Sequence, residues 1–229
     1  GNKVAVYTNN DDAYRTAITL NEVGVEVPII VDARGSGGGA LAERAKALGI
    51  RVENGKAISK VFGKKRVEAI SICEHKDSGK GNEKIACDCI AMSGGWSPVV
   101  HLYSHCGGKL KWDEKMALFK PDSSAKPTSH DGLPFVTAVG SANGFLLMQE
   151  VLKDAWEGCL NVIEAAGGKV KKKSFKVIEQ EYENSLQAIW IAPHDADIKK
   201  RSKIWLDFQN DVKVNDVELA AREGFESVE

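Results

Sequence analysis

Residues 3–32 constrain the fold more than any other stretch of this chain. Lys3 to Tyr7 is a short apolar run with strand character. Asp11-Asp12 then precedes Ala13, Ala17, Leu20 and Val23 at helical spacing, which predicts a helix capped by the two aspartates and ended by Gly24. Val25 to Val31 is a second, β-branched run that closes at Asp32. Strand, helix and strand in so short a span make a βαβ crossover, and its two strands must lie parallel in a sheet covered by the helix.

The pattern continues through the flexible Gly35-Ser36-Gly37-Gly38-Gly39 loop into a helix from Ala40 to Leu48, closed by Gly49. From Ile50 the texture changes. Ile50 to Glu53, Ala57 to Phe62, Arg66 to Cys73 and Lys84 to Met92 alternate like antiparallel strands, which predicts a three-strand meander laid on the parallel sheet. Gly94-Gly95-Trp96-Ser97-Pro98 breaks that pattern, and polar loop with short strands follows as far as Pro134. A strand from Pro134 to Val139 is expected to run through Gly140-Ser141-Ala142-Asn143-Gly144 into a long helix reaching about Ala166. Beyond the basic link from Lys169 to Lys176 lie an apolar strand, Ala188 to Pro193, and a small helical tail. In that tail Val214, Val217, Leu219, Ala220 and Phe225 share a face and Asn215 is the candidate cap. The fold class is therefore α/β, a parallel sheet with an antiparallel meander and a C-terminal helical module.

Composition narrows the function classes. With 229 residues and 43% hydrophobic content the chain builds one large domain or two small ones. Thirty-one basic residues against 32 acidic ones leave a charge of −1, and no basic stretch is interleaved with aromatics, so nucleic acid is not an expected partner. The longest apolar runs, such as Val27 to Val31 and Gly144 to Met148, are far short of the roughly 20 residues that span a bilayer. Five cysteines, Cys73, Cys87, Cys89, Cys106 and Cys159, form no regular framework. With no signal peptide visible, they point to reduced thiols in the cytoplasm. A chain that starts directly on a strand and stops inside a helical pattern is expected to be a piece of something longer.

In a Rossmann unit the loop after the first strand reads G-x-G-x-x-G/A, because only glycine permits the tight turn and the approach of backbone N–H groups to phosphates. Here that loop is Thr8-Asn9-Asn10-Asp11-Asp12-Ala13. Thr8 and Asn10 stand where two glycines belong, and Asp11 and Asp12 put negative charge beside the phosphate position. A carboxylate a few ångströms from a phosphate costs about 1 kcal/mol even in water-like dielectric, and more when buried. The loop is expected to act as a helix start on a scaffold domain. Asp32 stands where an acidic residue would bind a ribose, but without the glycines a plain strand-end role is the simpler reading.

Gly140 to Phe145 is more favourable, since small residues at a helix start suit a phosphate or ribityl chain as well as tight helix packing. Cys87-x-Cys89 with His101, His105 and Cys106 has the ligand types for zinc, yet Cys87 and Cys89 are expected to share a strand face with no C-x-x-C knuckle, and the histidine pair lacks the zincin glutamate. No serine sits in a G-x-S-x-G elbow. A stand-alone NAD(P)H-dependent flavoprotein reductase of the disulfide type needs a C-x-x-C or C-x4-C pair, and the chain has neither.

The organisation resembles the central part of two-dinucleotide flavoprotein oxidoreductases, in which a nucleotide domain is inserted into an outer FAD-type domain. Ser93-Gly94-Gly95-Trp96-Ser97-Pro98-Val99-Val100-His101-Leu102 is similar to their crossover. Together with Tyr7-Thr8-Asn9-Asn10-Asp11, Asp207-Phe208-Gln209-Asn210-Asp211-Val212 and Leu219-Ala220-Ala221-Arg222-Glu223-Gly224-Phe225-Glu226-Ser227-Val228-Glu229 it resembles the α subunits of heterotetrameric sarcosine oxidases. The resemblance implies residues 1–95 as the inserted nucleotide-type domain, 96–168 as the returning part of the outer FAD/NAD-type domain, and 169–229 as a linker and small helical module.

It further implies a complex with beta, gamma and delta subunits that oxidises sarcosine to glycine, reduces oxygen to peroxide and passes a one-carbon unit to tetrahydrofolate. FAD and FMN would belong to the partner subunit and its interface, and a noncovalent NAD to the outer domain. On that basis Gly140, Ser141, Ala142, Asn143, Gly144 and Phe145 are the expected NAD contacts, with Ser141 where the family carries an aspartate. The tail resembles modules that hold a [2Fe–2S] cluster, but Asp207 and Gln209 stand in place of a C-x-C pair, so no cluster is expected.

Overall fold

The computed structural model describes residues 3–76, 78–81, 83–170, 176–177, 186–195 and 204–226. Four strands form a parallel sheet: β1 (Val4–Thr8), β2 (Ile29–Asp32), β3 (Arg51–Asn54) and, returning much later, β7 (Cys89–Ser93). Their spatial order is β3-β2-β1-β7, with Val6 opposite Ile30 on one side and Ala91 on the other. The crossovers are α1 (Asp12–Glu22) and α2 (Gly39–Ala47). Between β3 and β7 the chain makes the meander β4 (Lys56–Phe62), β5 (Ala69–Glu74) and β6 (Glu83–Ala86), antiparallel throughout.

The buried residues explain the layering. β2 reads Ile-Ile-Val-Asp with every residue buried, as a strand covered on both faces must be. Val6 and Ile30 face Ala13, Ala17, Ile18, Leu41 and Ala45 of the two helices. Ala5, Ile29 and Val31 face Ile70, Ile72 and Cys73 of the meander. The parallel sheet is thus a middle layer, and all its strands end at one edge, where Thr8, Asp32, Asn54 and Ser93 lie in register.

Two local expectations are corrected here. Arg51–Asn54 belongs to the parallel sheet and pairs with β2; its alternation reflects an edge strand with one solvated face, which mimics an antiparallel pattern. Lys84 to Met92 is two strands, because Cys87 and Asp88 carry the chain from the meander back to the parallel sheet, where the amides of Asp88 and Cys89 both bond the Lys3 carbonyl. Cys87 is therefore buried and Cys89 exposed, so they do not share a strand face.

After the break at 94–98 come α3 (His101–His105), the hairpin β8 (Leu110–Asp113) with β9 (Leu118–Pro121), and the long helix α4 (Met148–Ala165). The strand expected over Pro134–Val139 is absent: an isolated bridge, Thr128 to Pro134, is all that forms. Pro134 at its start and Pro127 in the facing segment lack the amide that a continuous ladder needs. The tail holds β10 (Trp205–Asp207), β11 (Val212–Lys213) and α5 (Val214–Arg222). Asn215 lies inside α5; Lys213 is the cap, and its amide donates to the Asp216 carboxylate at 2.8 Å. Ala188–Pro193 forms bends rather than a strand. The core of the basic run, residues 171–175, and the chain end, residues 227–229, lie outside the described residues. Among those described, no helix is long and apolar enough to cross a membrane.

Candidate functional site

The edge where β1 and β2 end is the place at which open parallel sheets bind ligands. The loop after β1 joins strand to helix where a dinucleotide loop would lie, and its own side chains occupy two of its amides. The Asn10 N–H donates to Thr8 Oγ1 at 3.1 Å and the Asp12 N–H to Asn10 Oδ1 at 3.1 Å. Asn10 Nδ2 donates onward to Ser93 Oγ at 2.9 Å, tying the loop to the end of β7. Thr8 and Asn10, standing for the two glycines, thus occupy the Asn10 and Asp12 amides. Neither aspartate caps α1 through its side chain; both are used elsewhere. Asp12 accepts from the Trp96 indole at 2.6 Å.

Asp11 turns inward. Its Oδ1 accepts from the Gly38 N–H at 3.0 Å and pairs with the Arg34 guanidinium at 2.7 Å. The same guanidinium grips Asp32 through Nε at 3.0 Å and Nη2 at 2.7 Å, and Asp32 also accepts from the Tyr14 hydroxyl at 2.8 Å. Asp11, Asp32, Arg34 and Tyr14 are 3%, 0%, 4% and 0% exposed. Burial works against the Arg34 charge, but hydrogen bonds and charges from Asp32 and Asp11 outweigh it and raise its pKa. Burial first, then the Asp32 charge, push the Tyr14 phenol up as well, so it stays a donor.

Asp32 therefore has the strand-end structural role. The partner that decides it, Arg34, was not singled out in the sequence, although a cation two residues after a buried acid at a strand end is a visible signal. Gly38 was equally unmarked. It has φ +80, and a Cβ there would lie 2.6 Å from the Tyr14 ring, so only glycine can aim that amide at Asp11.

Beside this filled seat lies a cavity of about 350 Å³ over the ends of β1 and β7, walled by Tyr7, Met92, Leu186, Ile189 and Trp190. The segment from Leu186 closes it, with Asn9 Nδ2 donating to the Gln187 carbonyl at 2.8 Å. Among the described residues the buried Tyr7 hydroxyl has no hydrogen-bond partner, and burial, reinforced by neighbouring Cys73, pushes its pKa up to about 12.

The six residues from Gly140 to Phe145 do not start the long helix. Gly140–Asn143 is one 3₁₀ turn, Gly144 ends it in the left-handed region, and α4 begins at Met148. Asp154, one to two turns into α4, accepts from the Gly140 N–H at 2.6 Å and lies 3.3 Å from Asn143 Nδ2. Ser141, Ala142, Asn143, Gly144 and Phe145 are at least partly open to solvent. Asn143 lines a second cavity, about 210 Å³, with Lys126, Thr137, Asp154, Glu157 and Asn161. Elsewhere, among the described residues, no group of three or more His, Cys, Asp or Glu side chains is placed to hold a metal ion. In the tail, Asp207 closes the turn between β10 and β11 by accepting from the Gln209 and Asn210 amides at 2.7 and 3.2 Å.

Thioredoxin reductases are among the solved structures that share this fold. The thioredoxin reductase of T. acidophilum superposes with a TM-score of 0.56 at 17% identity, over 72% of this chain and 53% of that one. That of Lactococcus lactis gives 0.53 at 21% identity, over 71% and 53%. The layering is thus that of dinucleotide-binding folds. In sequence, the sarcosine oxidase subunit alpha of Rhizobium meliloti (strain 1021) is 33% identical across the whole chain, which spans 21% of that protein. This chain is a homologue of sarcosine oxidase α subunits along its entire length. The α subunits of Corynebacterium sp. strains P-1 and U-96 match it end to end at 28% and 29% identity. Residues 201–229 match the sarcosine oxidase A3 domain family. The chain spans about a fifth of the length of these relatives.

Proposed function

We propose that the chain is a non-catalytic portion of a sarcosine oxidase α subunit, active only within the complete complex. The observation that carries this reading is the filled crevice in a chain whose relatives are sarcosine oxidase subunits: the layers of a dinucleotide-binding fold are kept while the Asp11 carboxylate, bonded to the Gly38 amide and Arg34, occupies the end of β1. Residues 1–95 are then a scaffold domain, 96–168 the returning part of an outer domain, and 169–229 a linker and helical module without an iron–sulfur cluster. The complex, with beta, gamma and delta subunits in the cytoplasm, oxidises sarcosine to glycine, with oxygen as acceptor and tetrahydrofolate as recipient of the one-carbon unit. FAD and FMN on the partner subunit and its interface supply the redox chemistry, and no residue of this chain is assigned a catalytic role.

Gly140, Ser141, Ala142, Asn143, Gly144 and Phe145 are the proposed NAD contacts. The donor set suits a sugar better than a phosphate, because the Gly140 N–H is already used by Asp154, while Asn143, Thr137 and Asn161 line the neighbouring cavity. Lys126, in the same lining, is the group that would face a phosphate. The test is sarcosine-dependent oxygen uptake: the isolated chain should show none, and turnover without other subunits would overturn the assignment.

A second reading, in which the tail docks a partner subunit, is favoured by the exposure of Leu206, Phe208 and Phe225 at 58%, 82% and 67%. Affinity for a flavoprotein subunit together with no dinucleotide affinity would select it over NAD binding.

A further inference from the structure

We propose that Asp11 is the specificity-determining residue of the crevice at the end of β1: its carboxylate is the built-in occupant of an oxyanion seat, and it shuts out the phosphates of nucleoside diphosphates. The seat is made by the Gly38 N–H at 3.0 Å and the Arg34 guanidinium at 2.7 Å, both converging on Asp11 Oδ1. Arg34 does not need Asp11 for neutrality. Asp32 already holds it through Nε and Nη2 and through the Arg34 amide at 3.0 Å. A second buried carboxylate leaves the cluster with an excess negative charge, which is costly unless that position demands an anion. It does demand one. Gly38 has φ +80 and a Cβ there would meet the Tyr14 ring and Ala42, so the turn that aims its amide at that point needs a glycine independently of Asp11. A guanidinium fork with a converging amide is equally the donor geometry that takes a phosphate oxygen.

This rests on the reading of residues 1–95 as a domain without its own dinucleotide, and one experiment separates the two. Thermal unfolding of the full chain and of Asp11→Gly is followed at fixed ionic strength while sodium chloride is exchanged for inorganic phosphate, and again with adenosine diphosphate. Wild type should not respond to inorganic phosphate. Asp11→Gly should start at a lower Tm and gain about 4 °C when phosphate reaches roughly ten times its dissociation constant. If Asp11→Gly unfolds without a cooperative transition, the shorter-reaching Asp11→Ser is read in the same way. A variant that folds yet shows no phosphate-dependent shift overturns the assignment of Asp11. Equal stabilisation of wild type by adenosine diphosphate that persists when Asn143→Ala alters the other proposed NAD position overturns the scaffold reading itself.

Discussion

Arg34 serves two carboxylates with one guanidinium, and its removal would strand both in the interior. Arg34→Ala is expected to destabilise the fold by about 3–5 kcal/mol, the range for breaking a buried ion pair, as a lowered urea midpoint at unchanged slope. Gly38→Ala should cost about 1–3 kcal/mol, because a Cβ would press on Tyr14 at 2.6 Å from a backbone at φ +80. The tyrosines add a pH signature. Tyr7 and Tyr14 are raised in the folded chain from an ordinary 10.0. As pH rises above 10 the unfolded chain loses phenolic protons that the folded one keeps, so stability is full below 10 and falls between 10 and 12. Tyr7→Phe should flatten that fall in a denaturation series at several pH values. At this scale the sequence showed that the loop lacks its glycines, from Thr8, Asn10 and Asp11 directly. It did not show what fills the seat, because Arg34 and Gly38 meet Asp11 across 23 and 27 positions of chain, a pairing that periodicity does not report.

Elements were legible where one physical rule governed them. The runs at β1, α1, β2 and α2 follow from burial on two faces of a strand and one stripe of a helix. Ile50 to Glu53 has an antiparallel-like pattern because a half-solvated edge strand alternates whether its partner is parallel or not. Pro134–Val139 looked like a strand from its apolar residues, but Pro127 and Pro134 withhold amides from the ladder. The 140–145 turn was read as the head of the long helix, whereas a 3₁₀ turn held by Asp154 precedes it. That last bond is testable. Asp154→Ala should speed hydrogen exchange at the Gly140 amide by at least about tenfold, the factor for losing roughly 1.4 kcal/mol of local protection, while amides of β2 stay as slow as in the parent chain.

For the whole molecule, a middle parallel sheet roofed by helices and floored by an antiparallel meander reproduces the layers of a dinucleotide-binding fold, and a chain can keep those layers after its ligand position has been taken by its own side chains. Packing of Ile29, Ile30 and Val31 depends on layers, not on ligand. The fold class could therefore be read from hydrophobic pattern, while the state of the site depended on a few polar contacts. In the complete complex, glycine at both Thr8 and Asn10 should leave NAD occupancy unchanged, since the account places NAD elsewhere. The most direct test is to titrate the ¹⁵N-labelled chain with NAD and follow its amides. Shifts should be confined to residues around 137–145 and Asp154, with Asp12, Arg34 and Gly38 unmoved. Saturable shifts at Asp12, Arg34 and Gly38 would contradict it, because they would put the dinucleotide in the crevice that Asp11 is said to close.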